Sequence, residues 1–177
     1  KYGPLPYLDA VAVTFIVDKQ SAFLEFIKGN LDFLSGIDAS YKDELLTKNG
    51  ELRPKYTSRI NLTKQPYLNT EYLGILIDTN FSAASGSALK YKLIRQAISY
   101  GFDRVKMMRY LRNNIGRAGT AGFVPAGLPW FNQQLVTGYH YDPTKAMQLL
   151  AKAGYPAGKG LPPITLTTNA SYLDLCK

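Results

Sequence analysis

The sequence predicts a mixed α/β fold in which β-strands alternate with amphipathic helices. Residues 8–17, LDAVAVTFIV, form an apolar, β-branched run that is typical of a buried strand. A helix capped by Asp18 or Ser21 and ended by Gly29 is predicted next. Residues 31–37 are a second, shorter strand. The order strand, helix, strand predicts a βαβ crossover with a parallel pair.

The composition allows a packed core and excludes a disordered chain. The 177 residues are 46% hydrophobic and 19% charged, which suits one ordinary domain or two small lobes. The 13 tyrosines and 8 phenylalanines indicate aromatics that either line a ligand cleft or fill a core. No apolar run reaches the roughly 18 residues of a membrane span. Because Cys176 is the only cysteine, we expect neither an internal disulfide nor a zinc site.

The net charge of +8 favours acidic partners such as nucleic acid or an anionic membrane surface. Most of the charges are dispersed along the chain. The densest group is Arg104, Lys106, Arg109, Arg112 and Arg117. Its spacing by threes is typical of a solvated helix face. Since the sequence has no RNP-type aromatic motif and no zinc knuckle, we expect no nucleic-acid partner.

Between residues 38 and 80 the sequence predicts one weak helix and one strong strand. Residues 38–48 form the weak helix, which stops at Asn49–Gly50. Three of its side chains are expected to be buried: Tyr41, Leu45 and Leu46. Residues 52–62 are a strand or an extended loop, and Gln65–Pro66 is a break. Residues 71–80, EYLGILIDTN, are the strong strand.

Residues 91–116 are predicted to form two helices joined by a tight corner, after a flexible loop at 81–89. The apolar face of the first helix is Leu93, Ile94, Ala97 and Ile98. Gly101 is expected to end this helix with a positive φ, and Asp103 is expected to cap the second helix. The apolar stripe of the second helix is Met107, Met108, Leu111 and Ile115. We expect the second helix to stop at Gly116.

The last third of the chain combines a Gly- and Pro-rich loop with the clearest helix. Residues 117–132 are expected to be an ordered surface or cleft loop, in which Trp130 fills a surface gap rather than stacking on a ligand. Residues 141–155 are the helix, with its buried stripe at Ala146, Leu149, Leu150 and Ala153. Its cap, first residue and stop are Asp142, Pro143 and Gly154. Residues 163–168 are predicted to be a strand, and residues 169–177 the start of another helix.

The sequence offers no catalytic constellation. His140 is the only histidine, and it lies between two tyrosines just ahead of a helix cap, where a structural or exposed role is expected. The sequence has no GxSxG, HExxH or Cys–His signature, and its acidic residues show no paired arrangement. We therefore expect no enzyme, no catalytic residue, no metal site and no cofactor.

Four stretches, spread over nearly the whole chain, resemble one known family. Residues 94–104, IRQAISYGFDR, are similar to its signature VRQAISYAIDR, and residues 6–11, PYLDAV, are similar to PYLDGV. Residues 26–32, FIKGNLD, resemble LQSGEID, and residues 141–156 resemble YDPEKAKALLAEAGYP. The family is the dipeptide/oligopeptide type, family 5, of extracytoplasmic solute-binding proteins that serve ABC importers.

The resemblance implies the middle portion of a two-lobed, type II periplasmic-binding-protein-like fold, with mixed sheets flanked by helices. Residues 1–70 then belong to the first lobe, residues 71–80 form a strand that crosses the hinge, and residues 81–177 belong to the second lobe. The chain begins without Met and ends just after a predicted helix begins, so we also expect a piece of a longer protein.

The resemblance also implies a substrate-binding component that captures di- or oligopeptides between its lobes and delivers them to a membrane permease. We expect a monomer in the periplasm, or a lipoprotein on the outer face of the cytoplasmic membrane. The predicted cleft-facing residues are Tyr72, Asn80, Asn113 and Asn169. For each of them, a role in a cap or turn is the alternative.

Other assignments stay open at the level of sequence. Nickel, haem or a sugar could replace the peptide as the solute. The chain could instead be part of a hydrolase or transferase whose catalytic residues lie outside it, or it could be a basic nucleic-acid-binding domain.

Overall fold

The computed structural model describes residues 7–78, 80, 86–169, 172 and 176. The chain divides into two compact units, Lys1–Glu44 and Leu45–Lys177. The α-helices are α1 (Lys19–Lys28), α2 (Lys42–Leu45), α3 (Lys92–Gly101), α4 (Arg104–Leu111) and α5 (Pro143–Lys152). Single 3-10 turns lie at Pro54–Tyr56, Ala88–Lys90 and Pro156–Gly158. Among the described helices, none has the length and apolar character needed to cross a membrane.

Helix α1 organises the first unit and begins and ends as predicted. The Asp18 carboxylate accepts a hydrogen bond from the Ser21 backbone N–H at 2.7 Å, which caps the first turn. Gly29 ends the helix in the left-handed region, with φ of 86°. The core of this unit is a stack of Phe23 on Tyr41, whose ring centroids are 4.4 Å apart.

The predicted strands of the first unit are absent. Residues 8–17 and 31–37 are irregular, so the described residues contain no βαβ unit. The apolar side chains of the first run face solvent, and Phe15 is 90% exposed and Val17 95%. A strand exists only where a neighbouring strand takes up its N–H and C=O groups, and an apolar run cannot supply that neighbour by itself. The α/β class is therefore not confirmed.

Residues 45–53 begin the second unit with a tight reversal in place of the long predicted helix. Helix α2 stops at Leu45, and an isolated antiparallel bridge joins Leu46 to Leu52. The reason is the Asn49–Gly50 pair, since Gly50 adopts a φ of 74° that turns the chain back on itself. Burial of the three predicted side chains is confirmed: Tyr41, Leu45 and Leu46 are each at most 5% exposed.

Helices α3 and α5 form the main core of the second unit. Ile94 is 0% exposed, and Ala97 and Ala146 are also buried. The Asp142 backbone N–H donates to the Tyr100 carbonyl at 2.8 Å, which ties the start of α5 to the end of α3. The predicted cap, proline and stop of α5 are confirmed: Asp142, Pro143 and Gly154.

The predicted positive φ at Gly101 is wrong. Gly101 is the last residue of α3, and Phe102 continues the chain with φ of −98°. The glycine lies instead against α5, because a Cβ at this position would be 3.7 Å from the Cβ of Ala146. This is an ordinary van der Waals distance, so neither chain reversal nor helix packing requires glycine here.

Helix α4 begins at its predicted cap but ends early. The Asp103 carboxylate accepts from the Lys106 N–H at 2.8 Å. The helix ends at Leu111 rather than Gly116, because Asn113 and Asn114 adopt left-handed φ values of 48° and 56°. The predicted apolar stripe is only partly covered, with Met107 and Met108 half-buried and Leu111 and Ile115 exposed.

The remaining predicted elements are also less regular than expected. Residues 71–78 and 163–168 form no strand. Of the predicted flexible loop at 81–89, residues 81–85 lie outside the described part, and residues 88–90 form a turn. Most of the predicted helix at 169–177 also lies outside the described residues.

Candidate functional site

The Gly- and Pro-rich loop after α4 surrounds a shallow aromatic depression, which we call the Phe123 site. Its volume is about 90 Å³. Its lining is almost entirely apolar: Ala121, Gly122, Phe123, Val124, Trp130, Phe131, Asn132, Leu135 and Val136. Trp130 is 88% exposed, Leu135 81% and Phe123 65%, so apolar surface is presented to solvent at this place.

Two glycines let the two arms of this loop approach each other closely. A Cβ at Gly138 would overlap the Thr120 carbonyl, so only glycine fits there. Gly122 has a φ of 81°, and a Cβ on it would lie 3.0 Å from a methyl group of Val136. The base of the Phe123 site is therefore closed by backbone packing, while its aromatic rings stay at the rim.

Residues 66–72 run beside the loop and contact it next to the site. The Thr70 hydroxyl donates to the Phe123 carbonyl at 2.8 Å. The Tyr72 ring meets the Phe123 ring edge-on, with centroids 4.9 Å apart. Gly127 lies so close to this segment that a Cβ on it would be 2.9 Å from the Leu68 side chain. Tyr72 and Phe123 therefore belong to one surface, although about fifty residues separate them in sequence.

An ion pair holds the segment beside Tyr72 to the end of α4. The Arg112 guanidinium lies 3.2 Å from the Glu71 carboxylate. The Tyr172 hydroxyl is 3.4 Å from the same carboxylate, and the Arg112 guanidinium lies 5.9 Å from the centre of the Tyr172 ring. Since the Glu71 side chain is half exposed, water screens this pair, and its role is to position Tyr72 more than to stabilise the fold.

The structure does not bring the four predicted ligand residues together. Tyr72 contacts Phe123 next to the Phe123 site and is 70% exposed. The Asn80 N–H bonds the carboxylate of its near neighbour Asp78 at 3.0 Å. Asn113 is 0% exposed, and its amide donates to the Leu46 carbonyl at 3.5 Å. The Asn169 carbonyl accepts from the Tyr172 N–H at 3.2 Å.

Sequence reasoning missed Phe123 and misjudged Trp130. The prediction that Trp130 fills a surface gap is wrong, because its side chain is 88% exposed. The available signal was three aromatic residues grouped in one loop: Phe123, Trp130 and Phe131. Glycines and prolines constrain the backbone of this loop. Aromatic rings held on a constrained loop are pre-organised for contact with a ligand.

A second polar and aromatic cluster lies where α3 meets α5. The Tyr100 ring packs edge-on against Tyr139 and His140, with centroids 5.0 and 5.7 Å away. The Lys145 ammonium lies 4.3 Å from the centre of the Tyr100 ring. A hydrogen bond with Tyr100 raises the pKa of Lys145 from its ordinary value, which keeps the amine charged rather than nucleophilic. These contacts join two helices and position no acid and base pair.

The arrangement can bind but offers no reactive geometry. Within the described ranges, no group of three His, Cys, Asp or Glu side chains is placed to hold a metal ion. The Phe123 site contributes aromatic rings and aliphatic carbon, which recognise a ligand by burial and stacking.

The comparison with known families identifies the kind of binding protein. The chain matches "Bacterial extracellular solute-binding proteins, family 5 Middle" over residues 1–175, and it belongs to this family. Membership implies a periplasmic-binding-protein fold. The family match also confirms the resemblance predicted from the four sequence stretches.

Two curated relatives extend over most of the chain. It is 26% identical over 152 residues to "Heme-binding protein A" of Haemophilus influenzae, a match that covers 85% of this chain and 24% of that protein. It is 23% identical over 151 residues to a "Probable ABC transporter-binding protein" of Deinococcus radiodurans, covering 85% of this chain and 25% of that protein. The chain therefore spans about a quarter of the length of these relatives. No solved structure matches it significantly.

Proposed function

We propose that the chain is part of the substrate-binding component of an ABC-type peptide importer. In this proposal, the protein captures di- or oligopeptides between two lobes and delivers them to permease subunits in the membrane. The observation that carries the proposal is the family match over residues 1–175. The protein then acts outside the cytoplasm as a monomer, with no catalytic step of its own.

The dimensions of the Phe123 site favour a peptide as the solute. Its volume of about 90 Å³ is far below the roughly 300 Å³ at which pockets begin to enclose a whole small molecule. A depression of this size suits one side chain of a longer ligand. Its aromatic walls accept apolar side chains of different shapes, which is what a carrier of mixed peptides requires.

Among the four predicted contacts, we propose Tyr72 as the ligand-facing residue. Its ring borders the depression through Phe123, and most of its surface is open to solvent. Asn80 and Asn169 stay predictions, since each has a local backbone partner and an exposed position. The full burial of Asn113 favours a role in holding the end of α4 over a role in ligand contact.

The lobe assignment is part of the same proposal. Residues 1–70 would belong to the first lobe, residues 71–80 would cross the hinge, and residues 81–177 would belong to the second lobe. The relatives are about three and a half times as long as the chain. We propose that their additional length supplies the neighbouring strands that residues 8–17 and 71–78 do not have here.

Haem is the second candidate solute. One relative is named a heme-binding protein, and the exposed rings of Phe123 and Trp130 offer apolar faces on which a flat macrocycle could stack. The net charge of +8 also suits the two carboxylates of haem. The small volume of the depression is the observation that places haem second.

Thermal unfolding of the full-length protein with candidate solutes tests the proposal. A ligand that binds only the folded state at a hundred times its Kd stabilises by about 2.7 kcal/mol, which raises the melting temperature measurably. We expect a rise with a pool of di- to pentapeptides and none with haemin. If only haemin raises the melting temperature, haem replaces peptide as the proposed solute. If neither raises it, both proposed solutes are contradicted.

Two substitutions localise the contact. Tyr72→Ala and Trp130→Ala should each weaken peptide binding about tenfold, the usual cost of losing one aromatic anchor. Tyr110→Ala is the matched control, because this tyrosine is also about half exposed but lies on α4 outside the Phe123 site. Equal losses of affinity in all three variants would remove the Phe123 site from the proposal.

A further inference from the structure

One side of α4 and its corner carries five exposed side chains, which we call the α4 basic face. Its members are Phe102, Val105, Lys106, Arg109 and Tyr110. Val105, Lys106, Arg109 and Tyr110 are spaced by one, four and five residues, which puts them on one side of α4, and Phe102 lies at the corner just before the helix in an extended conformation. Phe102 is 46% exposed, Val105 67% and Tyr110 52%, and both cations are also exposed.

The opposite side of α4 attaches the helix to its own unit. Met107 and Met108 are half-buried there. Just past the helix, the side-chain amides of Asn113 and Asn114 donate to the Leu46 and Lys48 carbonyls, at 3.5 and 3.0 Å. The α4 basic face is therefore the outward side of an anchored helix.

The charge of this surface is not neutralised by its surroundings. Residues 104–117 hold five cations and no acidic residue. Arg104 donates to the Ser99 carbonyl, and Arg112 pairs with Glu71. Lys106 and Arg109, by contrast, have no carboxylate within ion-pair distance among the described residues. The Asp103 carboxylate is used at the start of the helix by the Lys106 backbone N–H.

Rings and cations are interleaved on this surface. The Arg104 guanidinium lies 5.7 Å from the Phe102 ring centre, and the Arg109 guanidinium lies 5.8 Å from the Tyr110 ring centre. Basic groups attract an anionic leaflet, and exposed apolar tips beside them enter the boundary between lipid headgroups and acyl chains. Each basic group near an anionic leaflet strengthens binding about fivefold.

We propose that the α4 basic face docks on a membrane surface that contains anionic phospholipid. An eight-residue helix is only about 12 Å long and offers five side chains, whereas a stable protein partner needs roughly 20 residues on each side. A fluid headgroup layer adapts to a small convex surface and needs no complementary groove. The inference goes beyond solute capture and does not depend on which solute is bound.

Vesicle co-sedimentation of the full-length protein tests the inference. We expect binding to vesicles of equal parts phosphatidylcholine and phosphatidylglycerol, and none to phosphatidylcholine alone. Raising the salt from about 0.1 M to about 1 M should abolish it, because the screening length falls from about 10 Å to about 3 Å. Lys106→Gln with Arg109→Gln should weaken binding about 25-fold, at fivefold for each cation removed.

The matched control removes the same number of positive charges from outside the α4 basic face. Lys92→Gln with Lys159→Gln removes two exposed cations from other parts of the same unit. This variant should keep at least half of the binding. If both double variants lose vesicle binding equally, the binding depends only on net charge and the proposed docking site is wrong. The proposal also fails if the wild-type protein does not bind anionic vesicles.

Two further measurements test whether the α4 basic face binds something other than a membrane. If soluble polyglutamate binds the protein as tightly as the anionic vesicles do, the surface recognises acidic polymers and the lipid assignment fails. If Lys106→Gln with Arg109→Gln lowers the melting temperature more than the control does, the rest of the full-length chain covers this face, and the proposal fails. An unchanged melting temperature supports it.

Discussion

Helices α3 and α5 bury their apolar side chains, whereas residues 8–17 leave theirs in solvent. Ile94 is 0% exposed and packs in the α3–α5 core, while Phe15 is 90% exposed in a stretch that carries more apolar side chains than either helix. Both stretches were predicted to be buried, one as a helix and the other as a strand. Only the helical prediction is confirmed.

The difference lies in where each element finds its backbone hydrogen-bond partners. A helix pairs its N–H and C=O groups within its own length, so a capped amphipathic segment needs only an apolar surface to pack against. A strand depends on a neighbour that the local sequence does not provide. Residues 8–17 have no neighbouring strand among the described residues, and their apolar side chains stay exposed.

The largest expected effect is Ile94→Ala. In the 177-residue chain, it should lower the unfolding free energy of the Leu45–Lys177 unit by about 2 to 5 kcal/mol, because it leaves a cavity between α3 and α5. Amide hydrogen exchange in these two helices measures the loss. Ile94→Val should cost only about 0.5 to 1.5 kcal/mol.

The companion variant Phe15→Ala sharpens the comparison. In the 177-residue chain this substitution should change the free energy of unfolding by no more than about 0.5 kcal/mol, as at other exposed positions. In the full-length protein it should rise to about 3 to 5 kcal/mol if this stretch is a buried strand there. A small cost in both settings would contradict the proposed strand neighbours.

A smaller effect of opposite sign is expected at Gly101. The added methyl group of Gly101→Ala would make an ordinary 3.7 Å contact with Ala146, and alanine favours the helix. The variant should therefore stabilise the Leu45–Lys177 unit by about 0.5 to 1 kcal/mol in chemical denaturation. Gly138→Ala is the contrasting control and should destabilise, because its methyl group would overlap the Thr120 carbonyl. Destabilisation by Gly101→Ala would mean that α3 and α5 pack more tightly than described.

The smallest effect is the pH dependence of the α1 cap. Hydrogen bonds from the Ser21 hydroxyl and then from its backbone N–H lower the pKa of Asp18. A lowered folded-state pKa contributes stability that is complete above the unfolded value of about 3.9 and is lost as pH falls through the folded value. The Ser21 amide resonance should therefore titrate below pH of about 3.9. Ser21→Ala should raise the pKa of Asp18 toward that value, and an unchanged pKa would contradict the assigned cause.

The local sequence was sufficient for the caps of α1, α4 and α5 and for the glycine stops of α1 and α5. Asp18, Asp103 and Asp142 each accept a hydrogen bond from a backbone N–H three residues later, as their positions before apolar repeats predict. Gly29 and Gly154 follow helix ends with positive φ, also as predicted. These interactions span only a few residues, so the information that determines them is adjacent in the chain.

The Phe123 site could not be derived in the same way. The sequence predicted a loop at residues 117–132 and a contact residue at Tyr72, but nothing in the local pattern joins the two. The bond from Thr70 to Phe123 spans 53 residues, and the ion pair from Arg112 to Glu71 spans 41. Contacts at this separation depend on how the intervening helices pack.

By itself, the sequence determined the caps of α1, α4 and α5, the stops of α1 and α5 and the family to which the chain belongs, because caps, stops and family signatures are patterns of neighbouring residues. The tertiary structure alone decided that Gly101 lies against α5, that Asn113 and Asn114 end α4, and that Tyr72 meets Phe123. These outcomes depend on which surfaces come together in space, and side chains far apart in the sequence acquire a common role only when the chain has packed.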